Sequence, residues 1–150
     1  MREHMGLYRG KRLDNGAWVE GFYLEFNMPF KHNNESCIQT LKQDGHLDFM
    51  HIVDPDTVGE CTAMRDKNGK LIFEGDVCKA CLNPEICTAT VKYRDNIASF
   101  VMECNETEIL LFVDMMVAKN SVGDAVWVEY IGNVHDNPEL LEGGANHAAD

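Results

Sequence analysis

The chain has 150 residues, 45% of them hydrophobic, which is the size and composition of one globular domain with an ordinary core. Thirteen Lys and Arg against 25 Asp and Glu give a formal net charge of −12 at pH 7. Nucleic-acid binding normally needs a basic face that displaces counterions from phosphates, so this charge argues against a nucleic-acid partner.

The sequence also indicates the cellular compartment. No apolar run reaches the roughly 18 residues that cross a bilayer, and the polar start MREHMGLYRG lacks the apolar segment of a signal peptide. We therefore expect a cytoplasmic protein with no membrane partner. In that compartment the six cysteines should be thiols rather than disulfides.

Residues 1–45 are predicted to form an N-terminal hairpin and an irregular insertion. Asp14-Asn15-Gly16 supplies the turn of the hairpin, because Asn and Gly tolerate positive φ angles. Bulky groups follow on both faces of the next strand, from Trp18 to Glu25. Residues 27–45 are polar and lack clean periodicity, which predicts a loop, with a helical turn over 36–42 as the alternative.

Residues 46–142 are predicted to form a small antiparallel barrel or sandwich. A strand over 46–53 ends at a proline turn, and the further turns recur at spacings of about 8–12 residues, as in small all-β domains. In the stretch MRDKNGKLIFEGDV, the turn 67–70 should point its charges to water while Ile72 and Phe73 enter the core.

The last part of the chain contains one ambiguous segment. Residues 106–119 have helical spacing at Glu106, Ile109, Leu110 and Val113, but also strand-forming residues, and a short helix is favoured over a strand. Residues 126–131 predict a strand and 139–142 one helical turn. The tail 143–150 should be disordered.

Three blocks of sequence resemble a known family. YRGKRLDNGAWVEGFY, DPDTVGECTAMRDKNGKLIFEGDV and VWVEYIGNVHDNPELLE resemble, in order and spacing, the YopX family of small proteins carried mostly by phages and prophages. Gly75-Asp76 and the stretch 131–138 are the most specific matches. The resemblance implies a C-terminal SH3-like β-barrel after an N-terminal hairpin region, a mainly β fold with one or two short helices, and no known reaction.

The chain departs from the family pattern in its cysteines. Cys78, Cys81 and Cys87 lie in a predicted hairpin, where small buried thiols are the favoured interpretation and a structural zinc is the alternative. Cys78 and Cys81 are three positions apart in a strand, so they should point to opposite faces, which is awkward for one shared ion. The fourth ligand would have to be Cys61, Cys104 or a histidine, and we assign no metal ligand.

Other chemical motifs are weak. Asp54-Pro55-Asp56 resembles the start of a calcium loop but lacks the later oxygen ligands, so a proline turn explains it. His135-Asp136 resembles a base with its orienting acid, yet Asp136 or Asn137 more plausibly caps the following turn. Phosphate loops and nucleophile elbows are absent from the sequence. We assign no catalytic residue and no cofactor, and do not expect an enzyme.

The functional expectation is a protein-interaction module that binds its own copies or a host protein. The aromatic residues should mostly be core, with Trp18 and Trp127 expected between the hairpin region and the barrel. The alternative is a nucleic-acid-associated regulator, with or without a structural zinc, that would use the basic N-terminal residues Arg9, Lys11 and Arg12.

Overall fold

The computed structural model describes residues 6–27, 34–81, 85–104, 107–111 and 126–141. The chain divides into two compact units, Met1–Cys61 and Thr62–Asp150. In the described residues the fold is mainly β, with two antiparallel sheets, two 3-10 turns and one helical turn at 139–141. None of the described helical segments has the length and apolar character needed to cross a bilayer.

The first unit is built on an antiparallel sheet with the strand order β4-β3-β2-β1-β5. Its elements are β1 (Tyr8–Lys11), β2 (Trp18–Asn27), β3 (Asn34–Leu41), β4 (Leu47–Ile52), a 3-10 turn (Pro55–Thr57) and the start of β5 (Gly59–Arg65).

The predicted N-terminal hairpin is present as β1 and β2. Its turn contains Gly16 at φ 71°, and the amide of Gly16 donates to the carbonyl oxygen of Arg12 at 2.9 Å. The amide of Arg12 donates to the carbonyl oxygen of Ala17, also at 2.9 Å, which closes the hairpin. The turn chemistry read from Asp14-Asn15-Gly16 therefore predicted this element correctly.

The prediction of an irregular insertion over 27–45 was wrong for residues 34–41. Residues 34–41 form β3, a strand that pairs with β2 on one side and β4 on the other. Ile38 is completely buried there. The backbone of β3 approaches β2 so closely that a Cβ on Gly21 would lie 2.0 Å from the carbonyl oxygen of Gln39. Pairing with two neighbours stabilises a polar segment whose own periodicity is weak.

The second unit contains a five-stranded sheet with the order β10-β9-β8-β7-β11, and β6 lies beside the end of β5. The elements are β6 (Leu71–Phe73), β7 (Asp76–Cys81), β8 (Ile86–Arg94), a 3-10 turn (Asp95–Ile97), β9 (Ser99–Cys104), β10 (Thr107–Leu111) and β11 (Trp127–Asn133). Small and branched residues form its core: Ile72, Cys78, Ala80, Ala89, Val91, Met102 and Val126.

Two further predictions need correction. Residues 107–111 form a strand paired with β9, not the start of a helix, because the edge of β9 offers backbone groups with which this segment can pair. The rest of the predicted helix, 112–119, lies outside the described residues. An SH3-like barrel over 46–142 is not confirmed, since β10 and β11 end the second sheet and β4 pairs with β3 in the first unit.

The tail 143–150 lies outside the described residues. The division of the chain at residues 45 and 142 into domains stays a prediction.

The placement of Phe73 generates a stability prediction. Its side chain is only 2% exposed, so Phe73→Ala should lower the free energy of unfolding by about 3–5 kcal/mol, through lost burial and a residual cavity. Urea denaturation followed by tryptophan fluorescence measures this change. Ile97→Ala, at an exposed position in a 3-10 turn, is the control and should change stability by less than about 0.5 kcal/mol. Equal effects of both substitutions would contradict the placement of Phe73.

Candidate interaction surfaces

The basic residues at the start of the chain are engaged within the first unit. The guanidinium carbon of Arg9 lies 4.7 Å from the centre of the Trp18 ring, and the Nζ of Lys11 lies 5.5 Å from it. Arg12 donates from Nε to Oδ1 of Asp14 at 2.9 Å and also contacts Oδ2. This hydrogen bonding lowers the pKa of Asp14. The cations of this hairpin are therefore directed at a ring and a carboxylate of the same unit.

One face of the first sheet carries exposed apolar side chains on three neighbouring strands. The register places Phe22 opposite Gln39 and Gln39 opposite Met50, so side chains from the three strands share this face. We call it the apolar face. Its large exposed members are Phe22, Leu24, Phe26, Leu41, Leu47, Met50 and Ile52, with exposed fractions of 38–66%.

A register shift between β3 and β4 keeps the apolar face continuous. The pairing moves by one residue between Gln39 and Leu41, and beyond this irregularity Leu41 pairs with Leu47. Opposite residues of a pair point to the same side of a sheet, so Leu47 joins the face that Leu41 shares with Gln39. Cys37, between Leu24 and Ile52, is the buried member of this face.

A groove of about 500 Å³ borders the apolar face. It is lined by Arg12, Leu13, Asp14, Glu35, Met50, His51 and Ile52. Met50 and Ile52 belong to both surfaces, and Glu35, opposite Phe26, stands at the rim of the face. The first unit therefore presents an apolar centre with charged groups at its border, which is the arrangement of a protein interface.

In the second unit the turn between β5 and β6 is fastened to β11 by Asp66. Its Oδ2 accepts the amide of Tyr130 at 2.9 Å, and its Oδ1 accepts the amides of Asn68 and Lys70, both at 2.9 Å. The amide of Lys67 donates to the carbonyl oxygen of Val128 at 2.8 Å. One buried carboxylate thus joins two segments that lie 64 residues apart.

The lysines of this turn are exposed, as the sequence predicted, and they also lie over aromatic rings of β11. The Nζ of Lys67 is 4.3 Å from the Trp127 ring centre and 3.4 Å from a carboxylate oxygen of Glu129. The Nζ of Lys70 is 4.3 Å from the Tyr130 ring centre. Cation–π contacts of this kind hold the turn against the strand.

The two most specific blocks of the sequence resemblance meet in the second unit. Asp76 pairs with Asn133 across β7 and β11, and the amide of Val134 donates to the carbonyl oxygen of Gly75 at 2.9 Å. Gly75 has a φ of 91°, which favours glycine. Asp76 is fully buried and its Oδ2 accepts the amide of Phe73 at 2.8 Å. The Gly75-Asp76 pair therefore shapes the turn between β6 and β7.

Asn133 caps the turn that follows β11. Its Oδ1 accepts the amides of His135 and Asp136 at 3.0 and 2.9 Å, and its Nδ2 donates to Asp136 at 3.2 Å. This cap lies three residues before Asp136 and four before Asn137, which were predicted to cap the later turn at Pro138. At Gly132, a Cβ would lie 2.6 Å from Oδ1 of Asn137, so the segment packs closely on the strand.

The cysteines of the second sheet divide between its two faces. Cys78 pairs with Ala89 and Cys81 with Ile86, so these two thiols point to opposite sides. Cys87 and Cys104 pack against the core cluster. Burial, with the neighbouring Cys104, raises the pKa of Cys87 to about 11. In the part of the chain that the structure describes, no three His, Cys, Asp or Glu side chains are grouped to hold a metal.

A second groove lies on the outer side of the second sheet. It measures about 370 Å³ and is lined by Thr88, Thr90, Lys92, Glu103, Val134, Leu140 and Leu141. The Nζ of Lys92 bonds to Oε1 of Glu103 at 2.7 Å, and Arg94 bonds to Oε2. These bonds lower the pKa of Glu103. The charges that border the groove are therefore paired with one another.

Other predicted positions have structural explanations. Oδ1 of Asp54 accepts the amide of Asp56 at 3.0 Å and caps the 3-10 turn, in agreement with a proline turn. Trp18 and Trp127 each lie under a lysine of their own unit. Sequence reasoning missed the apolar face, although the alternation of Phe22, Leu24 and Phe26 was a readable signal.

A match to a protein family covers most of the chain. Residues 7–142 match the family model described as YopX protein. The chain belongs to the YopX family. No curated protein sequence matches it. In this YopX-family chain, the stretches 75–76 and 131–138, which lie within the matched range, shape and join turns of the second unit.

The Asp66 carboxylate should make the stability of the fold depend on pH. Partial burial alone would raise its pKa, but the amides of Tyr130, Lys70 and Asn68 lower it below the ordinary value of 3.8. A carboxyl with a depressed folded-state pKa stabilises the fold above its unfolded pKa, and this contribution disappears as the pH falls through the folded value. Asp66→Asn should therefore cost about 1–3 kcal/mol at pH 7, because one buried amide loses its acceptor.

Urea denaturation at pH 7 and at several values below 3.8 measures this effect. The difference between wild type and Asp66→Asn should shrink as the wild-type carboxylate becomes protonated. Glu20→Gln, at an exposed position in β2, makes the same chemical change and should leave the curve close to wild type. A stability difference that stays constant with pH would refute the role of the Asp66 charge.

Proposed function

We propose that this YopX-family chain is a non-enzymatic, phage- or prophage-encoded protein-interaction module that acts in the cytoplasm. The apolar face of the first unit carries the proposal. Seven large apolar side chains on three neighbouring strands leave 38–66% of their surface exposed in one patch. Contiguous apolar patches of this kind mark binding surfaces in proteins, whereas single exposed apolar residues do not.

The distribution of charge supports a protein partner. The chain carries a formal charge of −12, yet the centre of the apolar face, around Leu24, Cys37 and Ile52, has no charged residue. Glu35 and Glu20 lie on the same side of the sheet at the ends of the face, next to Phe26 and two positions before Phe22. Depletion of charge at the centre and polar groups at the border are typical of protein interfaces. The bordering groove, with Arg12, Asp14 and His51, provides the polar part of the surface.

The nucleic-acid alternative has less support. Arg9 is buried and lies against Trp18, and Arg12 is bonded to Asp14. The basic residues that would contact phosphates are thus committed within the first unit, in a chain that is acidic overall. A zinc-assisted form would also require Cys78 and Cys81 to turn to the same side, which the strand register opposes.

Site-specific photo-crosslinking tests the proposed function. A benzophenone amino acid at Phe22, which is 42% exposed on the apolar face, should give discrete covalent adducts with a protein in expressing cells. The same amino acid at Tyr93 is the matched control, because Tyr93 is also a strand aromatic and is 39% exposed. Mass spectrometry of the adducts identifies the protein that covers each position.

The proposal expects an adduct at Phe22 that involves one defined protein, either this chain or another, and that Leu24→Glu abolishes. Adducts of equal amount and variety at Phe22 and Tyr93 would mean that the apolar face has no dedicated partner. That outcome, or no adduct at either position, would overturn the proposed function.

A further inference from the structure

The apolar face is large enough to form one side of a stable interface. The exposed fractions of its seven members correspond to roughly 600 Å² of apolar surface, at the upper end of what single chains leave uncovered. A standard interface buries about 800 Å² on each partner, polar rim included. The face together with its groove therefore reaches the area that each half of a dimer needs.

We infer that the occupant of the apolar face is the apolar face of a second copy of this chain, packed sheet on sheet. This inference rests on the proposed function and names its partner. Two antiparallel sheets with apolar inner faces pack with a core about 10 Å thick, and each supplies half of the side chains. The three strands β2, β3 and β4 of each copy would form one layer of this sandwich.

The charge pattern favours a second copy over a charged partner. A surface evolved for a basic protein would present the acidic residues of the chain, which has 25 of them. The apolar face instead places its acidic residues at its ends, Glu35 beside Phe26 and Glu20 two positions before Phe22. In a two-fold arrangement the centres of the two faces, around Leu24 and Cys37, meet without bringing like charges into opposition.

The side chains of the face also suit interdigitation. Aromatic residues lie on β2 and aliphatic residues with Met50 lie on β4, so a two-fold contact can place large rings of one copy against thinner side chains of the other. Cys37 forms a low centre between Leu24 and Ile52. This low centre, with larger side chains around it, can receive an aromatic side chain from another chain.

Sedimentation velocity over a range of concentrations tests this inference. Wild-type protein should pass from 16.9 kDa to twice that mass, with a dissociation constant on the order of micromolar or tighter. Leu47→Glu should weaken the dimer about tenfold or more, since it places a charge in the apolar contact. Ile86→Glu adds the same charge at a similarly exposed strand position, 59% against 66%, and should leave the dimer intact.

Leu24→Glu, at the centre of the face, should weaken the dimer about 100-fold or more. Because a central substitution can also disturb the fold, the thermal melts of both variants are measured. If Leu24→Glu proves to be unfolded, the test depends on Leu47→Glu. Raising the salt concentration should strengthen the wild-type dimer, because it screens repulsion between two chains of charge −12.

The crosslinker at Phe22 separates failure of this inference from failure of the proposed function. In a mixture of isotopically light and heavy chains, the inference expects light–heavy adducts between copies. A monomer at all concentrations with a Phe22 adduct to another protein overturns the second-copy inference and supports the proposed function. A monomer whose Phe22 crosslinks only within its own chain, or not at all, overturns both. A dimer insensitive to Leu47→Glu and Leu24→Glu overturns the inference.

Discussion

The register of β3 between β2 and β4 is the constraint on which the surface of the first unit depends. Side chains alternate along a strand, so a slip of one residue would exchange the two faces of a strand. The observed pairing of Leu24 with Cys37 and of Cys37 with Ile52 aligns apolar side chains on one face, while Ile38 is buried on the other. The irregularity after Gln39 preserves that alignment as far as Leu47.

Gly21 is one physical reason why this register is possible. A side chain there would occupy the space of the Gln39 carbonyl, so the close contact between β2 and β3 exists only because position 21 has no Cβ. Tyr23, two residues further along β2, pairs with Ile38 and lies 5.5 Å from the Tyr8 ring. One side of the sheet thus buries Gly21 and Ile38, and the other side leaves the apolar groups of three strands exposed.

In the second unit, a few polar side chains hold together segments that are distant in the sequence. Asp66 gathers three amides, and Asn133 satisfies the first amides of the turn after β11. Buried polar groups are costly unless they are bonded, so each such residue specifies one arrangement of its neighbours. The stretches 75–76 and 131–138, on which the sequence resemblance drew most, therefore shape the fold of this unit.

The sequence by itself determined the β class, the hairpin at Asp14-Asn15-Gly16, the family and the burial of Ile72 and Phe73, because turn chemistry and apolar runs are local signals. It did not reveal β3 or the strand at 107–111, since polar or ambiguous segments become strands only when neighbouring strands bond to their backbone.

The tertiary structure also determined which side chains are exposed and which are buried. Alternation along β2 predicted bulky groups on both faces, but only the register with β3 showed that Phe22, Leu24 and Phe26 share an exposed side with Met50 and Ile52. The sequence correctly placed the charges of the turn 67–70 in water, but it did not show that contact with β11 buries the neighbouring Asp66 and sets Lys67 and Lys70 over two rings. Such contacts join residues far apart in the chain, and no local pattern encodes which distant strand will lie beside a given turn.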